Sequence, residues 1–301
     1  MPGSIKAGAF KTPRGLTSNR HAGRPDRQTV RAFAFAGAEH WEAVLCANGT
    51  NRCLRAFNGV IGEFDLFIQK LRARHHLSGE EEAALREMRW SDRRFGRHEV
   101  MVRAGEKLGH SMLLLSGFVL RRKFTAEGEQ QILEINVTGD FIDLHGFILQ
   151  RLDHEIVAAS SCDIALVPHS ELKRVTETFP RLGRILWFQT LIDATINREW
   201  TLVLGKKRSR ARVAQLFCEM HTRLGIVDQS DASGYALPFN QQELADITGM
   251  TPVHLNRCLK ELRDAELVTY RSGKVSLLNL AALAQSAQFD PGYLHLGPHE
   301  I

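Results

Sequence analysis

Residues 237–262 read LPFNQQELADITGMTPVHLNRCLKEL, a pattern of two short helices with a tight turn between them. Asn240 stands where a helix cap belongs, and Glu243, three residues on, is spaced to return the bond in a capping box. Leu244 and Ile247 give this helix an apolar face. Gly249 ends it, because a sharp reversal needs the left-handed backbone that glycine enters without steric cost. Thr251 then caps a second helix with its hydroxyl, and Pro252 takes the first position, where a missing N–H is not needed.

In the second helix Leu255, Cys258, Leu259 and Leu262 recur at three- and four-residue steps and predict the buried face. The other face carries Val253, His254, Asn256, Arg257 and Lys260. A guanidinium forks onto the O6 and N7 of guanine, so Arg257 is the candidate base reader, with Asn256 and His254 able to bond base edges. Lys260 and Thr251 suit phosphate. Further on, LVTYRSGKVSLLNL (267–280) predicts two strands around Ser272 and Gly273, a β-wing carrying Arg271 and Lys274. A plain helical hairpin in a bundle would share the periodicity. The paired caps and the basic second helix favour DNA.

With 301 residues the chain has room for two domains, and 44% hydrophobic with 24% charged residues is the balance of an ordinary globular protein. A formal charge of +5 suits a polyanion partner without requiring one. No apolar run is long enough to span a bilayer. Five cysteines, Cys46, Cys53, Cys162, Cys218 and Cys258, form no regular framework, which fits a reducing cytoplasm. The last three sit in apolar patterns and read as core.

Residues 1–59 read as an N-terminal extension rather than a folded domain. Up to Arg31 the stretch is rich in Gly, Ser, Pro and Arg, with Asp26 its one acid. A transit peptide, a basic arm and a misplaced gene start near Val60 all remain open. Phe64, Phe67, Ile68 and Leu71 then fall at helical spacing, His75 and His76 read as a solvated turn, and SGEEEAALREM (78–88) has an acidic helix start. From Arg94, short strands punctuated by Gly105, Gly117, Gly128 and Gly139 predict a small antiparallel barrel, within a domain of residues 60–178.

Residues 179–205 predict one long helix. Leu182, Ile185, Gln189, Ile192, Ile196, Glu199 and Val203 follow alternating steps of three and four, a heptad seam, so Ile185, Gln189, Ile192, Ile196 and Val203 are the expected dimer contacts. Leu186, Trp187, Leu191 and Trp200 supply a second apolar side, so the helix is expected to face both its own barrel and a second subunit. The basic run Lys206, Lys207, Arg208, Arg210 and Arg212 reads first as a solvated linker, with phosphate contact the alternative. The winged unit then spans 206–285, followed by a tail of 286–301.

Helix, glycine-punctuated barrel, long helix and winged helix-turn-helix, in that order, resemble the bacterial transcription regulators of the cyclic-AMP receptor and fumarate-nitrate reduction regulator superfamily (Crp/Fnr). The stretches that carry the resemblance are GDFIDLHGF (139–147), SCDIALVPHSEL (161–172) and QELADITGMTPVHLNRCLKEL (242–262). It implies an α+β fold: an antiparallel β-roll or jelly-roll sensor domain, a dimerisation helix and a C-terminal winged helix-turn-helix. The implied partners are a second copy, a pseudo-palindromic double-stranded operator and RNA polymerase. Cyclic-nucleotide binders of this family follow the Gly-Asp-Phe turn with a glutamate for the ribose and an Arg-Ser or Arg-Thr pair for the phosphate. Here the turn continues Asp143-Leu144-His145 and the later stretch reads Arg151-Leu152-Asp153-His154, which disfavours cyclic AMP. Cys46 and Cys53 do not supply the N-terminal cysteine cluster of iron-sulfur members. Haem-binding relatives would offer His145, His154 or His169, each read first as a barrel-edge residue. The effector-pocket candidates are therefore Asp143, Leu144, His145, Arg151 and His154.

Relatives often carry arginine and glutamate where Pro252 and Val253 stand, while Arg257 matches a base-contacting arginine of the family. Two further readings compete with an effector-responsive regulator. One is a ligand-independent regulator whose barrel serves only dimerisation and polymerase contact. The other is an enzyme, which the missing GxSxG, HExxH, GxxxxGK and GxGxxG patterns disfavour.

Overall fold

The computed structural model describes residues 62–300. Cys46, Cys53, the basic N-terminal stretch and the start expected near Val60 lie outside the described residues. The described residues open with helices α1 (Asp65–Arg72) and α2 (Gly79–Arg86). Ser78 accepts from the Glu81 N–H while the Glu81 carboxylate takes the Ser78 N–H, so the acidic start is a closed capping box. Phe67, Ile68 and Leu71 of α1 are buried, as their spacing predicts.

Seven strands follow: β1 (Ser91–Phe95), β2 (Val100–Val102), β3 (His110–Ser116), β4 (Phe118–Phe124), β5 (Gln130–Val137), β6 (Glu155–Ala158) and β7 (Cys162–Pro168), with a single turn α3 (Gly146–Leu149) before β6. They form two antiparallel sheets, ordered β1-β7-β3 and β2-β6-β4-β5. Phe95, Leu114 and Ile164 of one sheet and Val119, Ile156 and Ala158 of the other pack into one cluster. That two-sheet roll matches the expected antiparallel barrel. Gly117 makes the crossing from β3 to β4: its φ is +100°, and a Cβ there would lie 2.5 Å from the Ser161 carbonyl oxygen.

A second cluster covers the outer side of the roll, joining Phe67 and Leu71 of α1 with Leu113, Val167, Leu172, Leu182, Ile185 and Leu186. Leu172 belongs to α4 (His169–Thr178), and Leu182, Ile185 and Leu186 to α5 (Pro180–Lys206), a 27-residue helix about 40 Å long. The seam residues correct an expectation. Ile185, Ile192, Ile196 and Val203 are all buried within a single protomer, and Gln189 is half-buried beside them. The side of α5 with the more continuous apolar run packs on the chain's own core, because burying it there needs no second copy. Trp187, Leu191 and Leu202 stay 65%, 48% and 50% exposed. Their positions fall within about 60° of one another around the helix.

The remaining elements are α6 (Ser209–Gly225), β8 (Ser230–Asp231), β9 (Gly234–Ala236), α7 (Gln241–Thr248), α8 (Pro252–Asp264), β10 (Val268–Arg271), β11 (Lys274–Leu277), α9 (Leu280–Ala287) and a 3-10 turn, Pro291–Leu294. The expected wing is the β10–β11 hairpin, turned at Ser272 and Gly273, both with positive φ; β9 and β8 extend it to four strands.

This C-terminal half packs on the roll. Arg97 pairs with Glu243 at 2.8 Å, the Phe118 and Phe239 rings meet edge to face at 5.7 Å, and the Gln131 amide donates to the Asp246 carbonyl at 2.7 Å. Asp140, from the Gly-Asp-Phe turn, takes Lys70 of α1 at 2.6 Å and Arg223 of α6 at 3.2 Å. The tail returns to α1: Arg74 Nε donates to the Leu294 carbonyl at 3.1 Å, and the Gly297 and His299 N–H groups bond the Ala73 and Arg74 carbonyls. His75 is therefore buried against Phe188 and His299 and is no solvated turn. The reason lies 224 residues away in sequence.

Candidate nucleic-acid interface

The two-helix unit is built as its sequence requires. Asn240 and Glu243 close a capping box on α7, Gly249 sits at φ +62°, and the Thr251 hydroxyl accepts from the His254 N–H at 3.3 Å to cap α8. Such caps contribute about 1 kcal/mol each and set where each helix begins. Leu255, Cys258 and Leu262 are buried, so the rotation of α8 is fixed and its opposite face is turned outward. Thr251, Val253, Asn256, Arg257 and Lys260 are exposed there, and His254 is half-buried. The Arg257 guanidinium donates to His254 Nδ1 at 3.0 Å, and the Asn256 amide donates to Gln241 Oε1, also at 3.0 Å. Gln241, on α7, is a positioning group the sequence did not flag. Lys260 lies 2.7 Å from Asp264, an exposed pair of the kind that water and phosphate readily displace. Arg271 and Lys274 stand exposed at the wing's turn.

The basic run corrects a second expectation. Arg208 and Arg210 line an open cleft of about 440 Å³ together with His254, Arg257 and Glu261. They therefore border the outward helix rather than a free linker. Lys207 and Arg212 instead serve the fold: Lys207 donates to Gln215 at 2.8 Å and Arg212 to the Lys207 carbonyl at 3.0 Å. Folding α6 against α8 creates this adjacency, which spacing along the chain cannot show.

The effector-pocket candidates do not converge as expected. Leu144 packs into the helix-side cluster, and Arg151 is exposed with its guanidinium on the Gly105 carbonyl. Asp143 is fully buried and accepts the Met112 N–H at 2.6 Å, while the His145 and His154 rings lie 5.5 Å apart. His169 meets Phe147 edge to face. The interior is organised by a residue the sequence reading missed. Arg121 of β4 faces Glu134 across the strand pair at 2.6 Å, reaches Asp193 of α5 at 3.0 Å and donates twice to the Ile142 carbonyl. Asn136 and Asn197 donate to the same Glu134. The available signal was Glu134 and Asn136, two residues apart and therefore on one row of β5, polar groups in a strand otherwise rich in apolar residues.

Burial pushes Glu134 up to about 7 against the pull of Arg121, and pushes Asp143 up to about 7 with the Met112 N–H opposing it. Burial, then the Arg121 charge, depresses His145 to about 3; burial also lowers His154. Among the described residues no three or more His, Cys, Asp or Glu side chains are grouped to hold a metal ion. No helix among them is long and apolar enough to cross a membrane.

The profile of the Crp-like helix-turn-helix domain matches residues 211–286, and that of the cyclic nucleotide-binding domain matches residues 92–179. The chain is a Crp/Fnr-type transcription regulator. This Crp/Fnr regulator is 22% identical over 215 residues to the transcriptional activator protein FnrL of Cereibacter sphaeroides, covering 70% of its own length and 86% of the relative. It is 26% identical over 166 residues to the nitrogen fixation regulation protein FixK of Azorhizobium caulinodans, covering 55% and 66%. Its fold is similar to that of FixK2 from Bradyrhizobium japonicum, with a TM-score of 0.61 at 22% identity over 66% of this chain and 97% of the other. The regulator CLP of Xanthomonas campestris gives a TM-score of 0.54 at 18% identity, over 67% of this chain and 100% of the other. The Crp/Fnr regulator thus carries its family's two domains in the expected order.

Proposed function

We propose that this Crp/Fnr regulator binds a pseudo-palindromic operator in the cytoplasm as a two-fold dimer, with α8 in the major groove and Arg257 on a guanine. The observation that carries the reading is the outward face of α8, where Arg257, Asn256 and Val253 stand exposed beside the Arg208 and Arg210 cleft. Arg257, Asn256 and His254 read base edges; Thr251, Lys260, Arg208, Arg210 and the wing residues Arg271 and Lys274 hold backbone phosphate. The dimer seam is the exposed stripe of α5, Trp187, Leu191 and Leu202, in place of the buried row. Three large apolar groups on one helix side are what a second copy would cover.

The roll is proposed to work without cyclic AMP. A cyclic phosphate needs a paired cation, and Arg151 is engaged outside while Leu152 is in the core. Arg121, Glu134 and Asp193 already link the roll to α5. That link favours the ligand-independent reading, a scaffold for dimerisation and polymerase contact, over an effector pocket formed by Asp143, His145 and His154. Genome-wide mapping followed by footprinting tests the main reading: two symmetric half-sites about 34–36 Å apart are expected. Bound sequences without two-fold symmetry would reject it. Calorimetry with cyclic AMP should give no saturable heat at micromolar ligand.

A further inference from the structure

Val253 is 82% exposed at the second position of α8, on the face that carries Asn256 and Arg257. It adds nothing to the core of its own domain, whose share of α8 is Leu255, Cys258 and Leu262. The polar groups around it are held in place: the Thr251 hydroxyl by the His254 N–H, Arg257 by His254, and Asn256 by Gln241. An isopropyl group in the major groove neither donates nor accepts a hydrogen bond. The apolar feature that the groove offers it is the C5 methyl of thymine. Val253 and Arg257 are four positions apart, about 6 Å along the helix axis, which spans between one and two base steps of ~3.4 Å.

We propose that Val253 is a specificity-determining residue that packs on a thymine methyl one or two base pairs from the guanine read by Arg257. Each half-site then carries a thymine at that position. Cytosine is rejected there because its N4 amino group would lose water against an isopropyl group that returns no hydrogen bond. The inference rests on the reading that α8 enters the major groove.

The test uses the full-length protein. Binding sites are selected from random DNA, and each selected thymine is then replaced singly by deoxyuridine, which keeps every hydrogen bond and removes only the methyl. Dissociation constants are measured at one salt concentration for the wild type, Val253→Ala and Arg257→Ala. Wild type should weaken roughly 4-fold at one thymine per half-site, the worth of one buried methyl. Val253→Ala should bind the thymine and deoxyuridine forms of that position equally and keep its sensitivity elsewhere. 5-Methylcytosine at that position should recover part of the loss relative to cytosine for the wild type and none for Val253→Ala. A flat deoxyuridine series near the guanine, or sensitivity that persists in Val253→Ala, overturns the assignment. If Arg257→Ala leaves the selected sequence unchanged, the placement of α8 falls as well; if it relaxes one guanine while the deoxyuridine series is flat, only the role of Val253 falls.

Discussion

Arg121 inside the roll and Arg257 on α8 hold the same guanidinium in opposite surroundings. Arg121 is enclosed, with Glu134, Asp193 and the Ile142 carbonyl taking its N–H groups. Arg257 stands in solvent, steadied by His254 and 3.9 Å from Glu261, with N–H groups still directed outward. A buried charge has to be matched where it sits, since desolvation costs several kcal/mol per ion. An exposed one carries no such requirement and keeps its bonding capacity for a ligand. The number of ion pairs around a residue therefore says little about its role. Burial decides whether those pairs hold the fold or leave the cation open to a ligand.

The contrast breaks most visibly at Arg121. Arg121→Met strands Glu134 in the interior and leaves the half-buried Asp193 without its partner, and should cost about 3–5 kcal/mol in chemical denaturation. A loss below about 1 kcal/mol would mean that the carboxyls are already neutral, as the upward shift of Glu134 to about 7 allows. Next come two neighbours on α5. Leu191→Glu should leave the protomer folded while weakening the dimer by roughly 2–3 kcal/mol, because Leu191 is on the exposed stripe. Ile192→Glu should instead unfold it. Sedimentation that shows Leu191→Glu still dimeric at low micromolar concentration would move the seam elsewhere.

Arg257→Ala should leave the melting temperature unchanged and cost about 1–3 kcal/mol on the selected operator, with little change on random DNA at the same salt. Equal losses on both would make it a phosphate contact. A smaller effect is the pH dependence set by His145. Its folded-state value of about 3 lies below the ~6.5 of an unfolded histidine, so the unfolded chain takes up a proton first as pH falls. Stability should drop from about pH 6.5 downward, and His145→Gln should flatten that slope. Glu134 and Asp143 work in the other direction: their contribution is whole below about pH 4 and is lost as pH rises through about 7. Thermal melts of wild type and His145→Gln from pH 5 to 8 separate the two; identical curves would refute the His145 assignment. The smallest change is at Lys260: Lys260→Ala should weaken binding to all sequences alike and reduce the salt slope by about 1 per contact. A loss confined to the specific operator would assign it to a base instead.

The sequence alone determined the α7–α8 unit and the wing, because their requirements are local. Asn240 and Glu243 are three residues apart, Gly249 must take a positive φ, and Ser272 and Gly273 must turn two strands. Each condition is met within a few residues, so the pattern is legible without knowing what packs where. The same holds for the order of roll, long helix and winged domain, since apolar periodicity changes along the chain. Tertiary structure alone decided which side of α5 is inside, where Arg208 and Arg210 end up, and what fills the roll. Arg121 and Asp193 are 72 residues apart, and His75 and His299 are 224 apart. A helix with two apolar sides offers two candidate seams. Only the surface folded against one of them shows which remains for a partner.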